Sequence, residues 1–334
     1  MRKKILIFVA LVLLLFSAVF SDMLFYLYRQ AAGQIRILKA MRPVEEVLAD
    51  REVADTVKEK IRLIAEIKKF GEEKIGFPET KNYTYFYEHN GKPLLWVITA
   101  SEEFALKEYE WTFPFLGSVS YKGFFDTDLL EKEKEKLEKL GLETDVREVA
   151  AWSTLGILPD PILSSMLQRN EFRLADLIFH ENTHVVYYAP DGTEYNENLA
   201  DYVAKRCTEF YLKEKYPENP EVLENYRLYL KDRETLRNFL KRSTENLQNF
   251  FGSLPSEMPI EEKRKVKKNK LESLTKELRK EHFADTSLYD YFDDKLPNNA
   301  FWVGFLQYGG MQDYFDSLYA QKSAPEIIEL LKDD

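Results

Sequence analysis

The sequence predicts an α+β protein, mainly helical, with a small mixed β-sheet, behind an N-terminal apolar helix. Three observations predict it. Residues 28–71, and most of the chain after Pro161, place apolar side chains at helical spacing. Between Tyr83 and Trp152 the texture changes to short β-rich runs separated by turn residues. At the start, Arg2, Lys3 and Lys4 precede an uncharged apolar run from Ile5 to Phe20.

That run has the form of an export signal. Its length falls between a signal-peptide core and a membrane span, so residues 1–28 read equally as a cleaved signal, with a weak site after Ser21, or as an anchor. The basic cluster stays on the cytoplasmic side. The body, residues 29–334, would then be exported: on the periplasmic face of the inner membrane through residues 5–28 if uncleaved, or secreted. No Cys lies near Ser21, which excludes a lipid-modified Cys.

Ile35, Ile37, Leu38 and Met41 form a first helical stripe, ended by Pro43. A second helix is expected from about Arg51 to Phe70. Tyr83–Tyr87 and Leu94–Thr99 flank Asn90-Gly91, the dipeptide of a tight hairpin, and predict two paired strands. Trp111–Phe115, Ser118–Phe125 and Val146–Trp152 continue the strands. Asp126 is placed to cap a Glu/Lys-rich helix closed by Gly141. Leu212 to His282 predicts about three long charged helices, interrupted near Pro217, Pro255 and Pro259. Final helices are expected at about 299–306 and 312–331. No Gly/Ser linker divides the chain, so one domain is expected behind the anchor, carrying a charged helical segment at about 212–283.

Composition excludes several functions. The net charge of -10 disfavours nucleic acid as a partner, because phosphate binding needs a basic surface. A single Cys excludes an internal disulfide and a Cys-based zinc cluster. With only four His in the chain, their placement carries information.

Two of them stand in His180-Glu181-Asn182-Thr183-His184, an H-E-x-x-H pattern. On a helix these His lie one turn apart and project from one face, where they can share a zinc ion. Glu181 stands beside that ion, placed to take a proton from water. Asn170 is a candidate cap of this helix, and Pro190-Asp191-Gly192 ends it. Glu194 opens a second helix, making an antiparallel αα-hairpin. Facing residues in such a hairpin have a constant sum of residue numbers. Glu197 therefore faces His184, and Asp201 faces His180. Glu197 is the expected third metal ligand, and Asp201 the expected acceptor for the outer N–H of a ligand imidazole. Asp176, one turn before His180, is a rival for that second role.

These and other segments resemble the zinc aminopeptidase family of exported bacterial proteins, among the glutamate-ligand zincins. The matching segments are Ala32-Gly33-Gln34 to Met41-Arg42-Pro43; Phe115-Leu116-Gly117 with Tyr121-Lys122-Gly123-Phe124-Phe125; Trp152-Ser153-Thr154-Leu155-Gly156; Asp160-Pro161 with Leu163-Ser164-Ser165-Met166-Leu167; Leu177-Ile178-Phe179-His180-Glu181 with His184; Asn196-Glu197 with Ala200; and Pro297-Asn298-Asn299-Ala300 with Tyr308. Asn182-Thr183 departs from the small or apolar residues expected between the two His. The resemblance implies a zincin-like metallopeptidase, one Zn2+ per chain and a peptide substrate.

It also places Tyr308 near the site, as a donor to the carbonyl oxygen, with Tyr195 and Tyr187 as rivals and plain aromatic packing as the alternative. Asn298 and Asn299 could bind substrate backbone or cap a helix. Ser153 and Thr154 could shape the cleft floor. His89 and His282 read as surface residues. The word aminopeptidase rests on the resemblance alone. The competing function is an envelope-associated helical interaction protein with a structural, non-catalytic metal site.

Overall fold

The structure, a computed structural model, describes residues 21–113, 117–149, 159–190, 192–289, 292, 296–304 and 311–333. Among these, helices dominate and the strands are short. Helix α1 (Ser21–Ala40) runs through position 28, so the end of the apolar segment and the start of the body share one helix. Pro43 ends it as expected, in a two-residue strand β1 (Arg42–Pro43). After α2 (Val44–Ala49), α3 (Asp55–Phe70) buries Ile61, Ile64 and Ile67 and passes into a wide turn at Gly71–Ile75. Among the described residues no helix is long and apolar enough to cross a membrane.

Among the described residues the β region holds three small sheets. Strand β2 (Tyr85–Tyr87) pairs antiparallel with β1 and parallel with β8 (Ile162–Leu163). Strand β3 (Trp96–Glu102) lies between β6 (Tyr121–Phe124) and β7 (Leu142–Glu148), antiparallel to both. Strands β4 (Trp111–Phe113) and β5 (Gly117–Val119) form a two-stranded ribbon. The expected hairpin around Asn90-Gly91 is therefore corrected. Both residues do adopt positive φ, 53° and 68°, and Lys92 N–H donates to the His89 carbonyl at 3.0 Å. The turn is real, but the strands it joins enter different sheets. Dihedral angles at a turn fix the local bend; burial of Phe86 and Ile98 in separate cores decides the partners.

Helix α4 (Thr127–Lys139) covers the β3 sheet with Leu130 and Leu137. Its cap is as expected: Asp126 accepts from the Leu129 N–H at 3.0 Å, and Gly141 follows with φ 77°. Helices α5 (Glu171–Val186) and α6 (Thr193–Lys215) form the central hairpin, with α7 (Pro220–Ser253) and α8 (Ile260–Leu278) beyond. The charged segment thus holds two helices plus the end of α6. The pair is not bare: Phe239, Leu240, Leu247 and Phe251 of α7 meet Leu271, Leu274 and Leu278 of α8 in a core of their own. Asp232 pins α7, its carboxylate accepting from the N–H groups of Ala284 and Asp285 at 2.9 and 2.8 Å.

Short α9 (Asn299–Val303) sits against β3 and β7. Asn298 caps it, accepting from Phe301 N–H, and donates to the Thr144 carbonyl. Asn299 is fully buried and donates to the carbonyls of Glu102, Glu103 and Ala105. Asn298 thus acts as a helix cap, and the Asn299 side chain is buried against the loop after β3. The last expected helix is two, α10 (Gln312–Tyr319) and α11 (Ala324–Asp333), because Ser323 and Glu326 form a new helix start.

Removing the α4 cap by Asp126→Ala should lower folding stability by about 1 kcal/mol. Urea unfolding of both proteins measures the difference; an unchanged midpoint would show that the cap contributes nothing.

Candidate metal and catalytic centre

The site is built on α5 and α6. Helix α5 starts at Asn170, whose side chain accepts from Arg173 N–H at 3.0 Å. Its apolar face, Leu174, Ala175, Ile178 and Phe179, enters the main core, where Phe179 stacks on Phe77. That orientation turns His180 and His184 towards α6. The polar pair between them is also buried. Thr183 satisfies its hydroxyl on the Phe179 carbonyl at 2.7 Å, which makes a hydroxyl tolerable where a small apolar residue was expected.

The loop between the helices is clamped by Asn196, buried at the first turn of α6. Its side chain accepts from the Ala189 N–H at 2.9 Å and donates to the Ala189 carbonyl at 2.8 Å. This fixes the register of the hairpin immediately before Glu197. Ala200, fully buried, lets the helices approach closely.

Three donor groups converge. His180 Nε2 lies 3.3 Å from His184 Nε2 and 3.4 Å from Glu197 Oε2, and His184 Nε2 lies 3.6 Å from Glu197 Oε1. His180, His184 and Glu197 form a group that could hold a metal ion. Zinc bonds to His N and carboxylate O of ~2.0–2.2 Å imply donor separations of ~3.3–3.6 Å at the corners of a tetrahedron. The donor set and its spacing fit that ion.

The far side of His180 is also occupied. Its Nδ1 lies 3.2 Å from Asp201 Oδ1. Asp176 instead meets Tyr226, which donates at 3.0 Å, and Arg233, which donates at 2.9 Å. Arg233 also reaches Asp201, at 3.3 Å. Asp201 is thus next to the imidazole, and Asp176 is one partner further out. Arg233, on α7, went unnoticed in the sequence, where it stands in an ordinary charge run, Lys231-Asp232-Arg233-Glu234.

The electrostatics follow from these contacts. Burial disfavours a charged His180, but Asp201 and Glu197 on either side outweigh it and raise its pKa to about 10. Burial and the neighbouring His180 charge lower His184 to about 4. Burial opposes ionisation of Asp201, yet His180 and Arg233 hold it at about 2. Burial raises Glu181; among the neighbours His180 opposes the shift, whereas Asp160 and Glu197 add to it. A carboxyl with a raised pKa suits proton transfer near neutrality.

A second group missed in the sequence lies beside Glu181. Tyr83 has φ 61°, a left-handed conformation that a bulky side chain adopts only under constraint. Its N–H donates to the Asp160 carbonyl at 2.6 Å, and the Asp160 N–H donates to Asn82 Oδ1 at 3.0 Å. Tyr83, Asp160 and Glu181 line one small pocket with Pro161, Leu163, Met166 and Leu177. No sequence rule flags a Tyr at positive φ.

Other expected residues fall elsewhere. Tyr308 lies outside the described residues, as do Ser153 and Thr154. Met311 N–H donates to Asn198, the neighbour of Glu197, at 3.3 Å. Tyr187 and Tyr195 pack on each other with ring centres 6.2 Å apart, and Tyr195 packs on Phe315. His282 is exposed, but His89 is half-buried, with both ring nitrogens shielded from solvent, a correction to its surface reading. It follows β2, and its N–H donates to Ser164 Oγ.

No curated protein and no solved structure matches the chain. The sequence profile of a family described as "Putative aminopeptidase" matches residues 25–326, and the chain belongs to that family.

Proposed function

We propose that this protein is an exported zinc-dependent peptidase, acting as an aminopeptidase, with Glu181 as its general base. Membership of an aminopeptidase family supports hydrolysis of a peptide substrate. The observation that carries the metal reading is the convergence of His180 Nε2, His184 Nε2 and Glu197 on one point, with Asp201 behind His180.

His180, His184 and Glu197 would hold the zinc ion. Zinc in such a site supplies Lewis acidity, lowering the pKa of water and polarising a carbonyl. Asp201 accepts the Nδ1 proton of His180, which fixes the tautomer and aims Nε2 at the ion. Arg233 keeps Asp201 ionised and is itself held by Asp176. Glu181 takes the proton of the attacking water on its carboxylate and passes it to the nitrogen of the leaving amine. Tyr308 is our candidate for the donor to the carbonyl oxygen, on the resemblance alone. A purely structural metal site would have no use for Glu181 and would favour a fourth protein ligand.

Three outcomes are expected. Glu181→Gln should keep about one equivalent of zinc while kcat falls about 10²- to 10⁴-fold; wild-type hydrolysis in that variant would remove the base assignment. Asp201→Ala should weaken zinc binding about 10- to 100-fold, and Glu197→Ala, which removes a ligand, by much more. Competition with a chelator of known affinity ranks them, and equal affinities would make the ligand assignment wrong.

The third concerns protons. In chelator-treated protein the His180 pKa rises on folding from 6.5 to about 10. The folded state then binds the extra proton, so its contribution to stability is complete below pH 6.5 and is lost as pH climbs towards 10. The melting temperature of the chelated wild type should therefore fall across that window more than that of chelated His180→Gln. Parallel curves for the two proteins would contradict the charged pairing of His180 with Asp201 and Glu197.

A further inference from the structure

We propose that helix α1 pairs in parallel with α1 of a second copy of this chain, along the seam Leu24, Tyr28, Ala31 and Ile35. The inference concerns a surface far in sequence from the metal centre and stands independently of the peptidase reading.

Three observations carry it. The first is that α1 has two faces of the same design, and the body occupies one of them. Tyr26, Gln30, Gly33 and Ile37 follow one another at spacings of four, three and four residues. This face is docked. Tyr26 and Gln30 donate to the Gly123 carbonyl, Gly33 is buried against Phe125, and Ile37 enters the main core. Leu24, Tyr28, Ala31 and Ile35 repeat the same spacing two positions earlier. Two positions turn a helix by about 200°, so this second seam lies on the opposite side. No described residue covers it. Leu24 is 41% exposed, Tyr28 66% and Ile35 49%; Ala31 and the neighbouring Leu27 are exposed as well.

The second is the spacing itself. Apolar residues alternating at four and three are the a and d positions of a two-stranded coiled coil. With Tyr28 and Ile35 at a, Leu24 and Ala31 take d. The flanking e and g positions are Phe25, Leu27, Ala32 and Gln34. None carries a charge, so two identical helices side by side meet no like-charge repulsion there. A parallel pair sets each residue opposite its own copy. Such a seam is self-complementary about a two-fold axis.

The third is what the seam adjoins. It begins four residues after the apolar run Ile5–Phe20. Lipid is a poorer occupant than a second copy. From Tyr26 onward one side of α1 lies against the Gly123 carbonyl and the rings of Phe113 and Phe124, so lipid does not surround it. The seam also runs on past Arg29 to Ile35, about 16 Å beyond Leu24. Its few side chains bury less than the ~800 Å2 per partner of a stable interface, so the pairing is weak for the body alone. Two copies whose apolar runs share one membrane are already parallel and confined to a plane, which raises their effective concentration.

The test uses the full chain in phosphatidylcholine vesicles and reads disulfide formation. The one native cysteine, Cys207, is fully buried, so a cross-link between copies reports an introduced thiol. Ala31→Cys places that thiol at d, inside the seam, and Arg36→Cys places it at b, on the outside. On mild oxidation Ala31→Cys should cross-link at least about 10-fold faster than Arg36→Cys, because only the former brings two Cα atoms within disulfide reach. Adding Ile35→Glu to Ala31→Cys should slow the reaction at least about 10-fold, because two carboxylates would then face each other in the seam. Ile35 is exposed, so this variant tests the seam without disturbing the core.

Sedimentation equilibrium in detergent gives the second readout. Wild type should show a concentration-dependent monomer–dimer equilibrium, and Ile35→Glu should raise its dissociation constant at least about 10-fold. Equal cross-linking from positions 31 and 36 would mean chance collision and would overturn the proposal. Cross-linking that ignores Ile35→Glu would do the same, by placing the contact in the apolar run alone. A wild-type chain that stays monomeric at every concentration, its seam covered by lipid or detergent, would overturn it too.

Discussion

The register of two antiparallel helices is the constraint on which this protein depends. His180 and His184 sit on one helix and Glu197 and Asp201 on the next, so a slip of one residue would rotate the carboxylates by about 100° away from the imidazoles. Three features oppose a slip. Asn196 closes a two-bond clamp on Ala189, Ala200 brings the backbones close, and the outer faces of both helices are locked in the main core. The geometry of the candidate metal site is therefore a by-product of how tightly the hairpin is packed. Its precision comes from buried groups that never touch an ion.

The second layer of organisation is electrostatic. A chain of charges runs from His180 through Asp201 and Arg233 to Asp176 and ends on Tyr226. Each member is partnered on both sides, which is the condition under which half-buried charges are tolerated. Arg233 and Tyr226 both come from α7, one of the long charged helices expected between Leu212 and His282. Because Asp232 ties α7 to residues 284–285, and Arg173 of α5 pairs with Asp285 at 2.7 Å, the charged segment is bound to the site helix at more than one point.

How much of this was legible in the sequence depended on range. His180 and His184 were readable because helical periodicity is local. Glu197 and Asp201 were readable because a short antiparallel loop converts sequence distance into facing positions. The caps at Asp126 and Asn170 were readable for the same reason. Strand partners were not, as Asn90-Gly91 shows: the turn forms, and its strands part. Arg233 meets Asp176 across 57 positions, and no periodicity links them. Tyr83 was invisible for another reason. Its left-handed backbone is imposed by the hydrogen bond to Asp160, a contact between distant segments, against the preference of a Tyr residue.

Helix α1 has a mechanical implication. It is about 30 Å long, and it is fastened to the edge of the β3 sheet rather than merely lying near it. Tyr26 and Gln30 both donate to the Gly123 carbonyl, and Gly33 lies so close to Phe125 that any added methyl would collide with the ring. A rod attached in this way does not swivel like a leash. Were the segment before it held in a lipid bilayer, the body would ride on a stiff mast, kept at a set height and bearing above the surface.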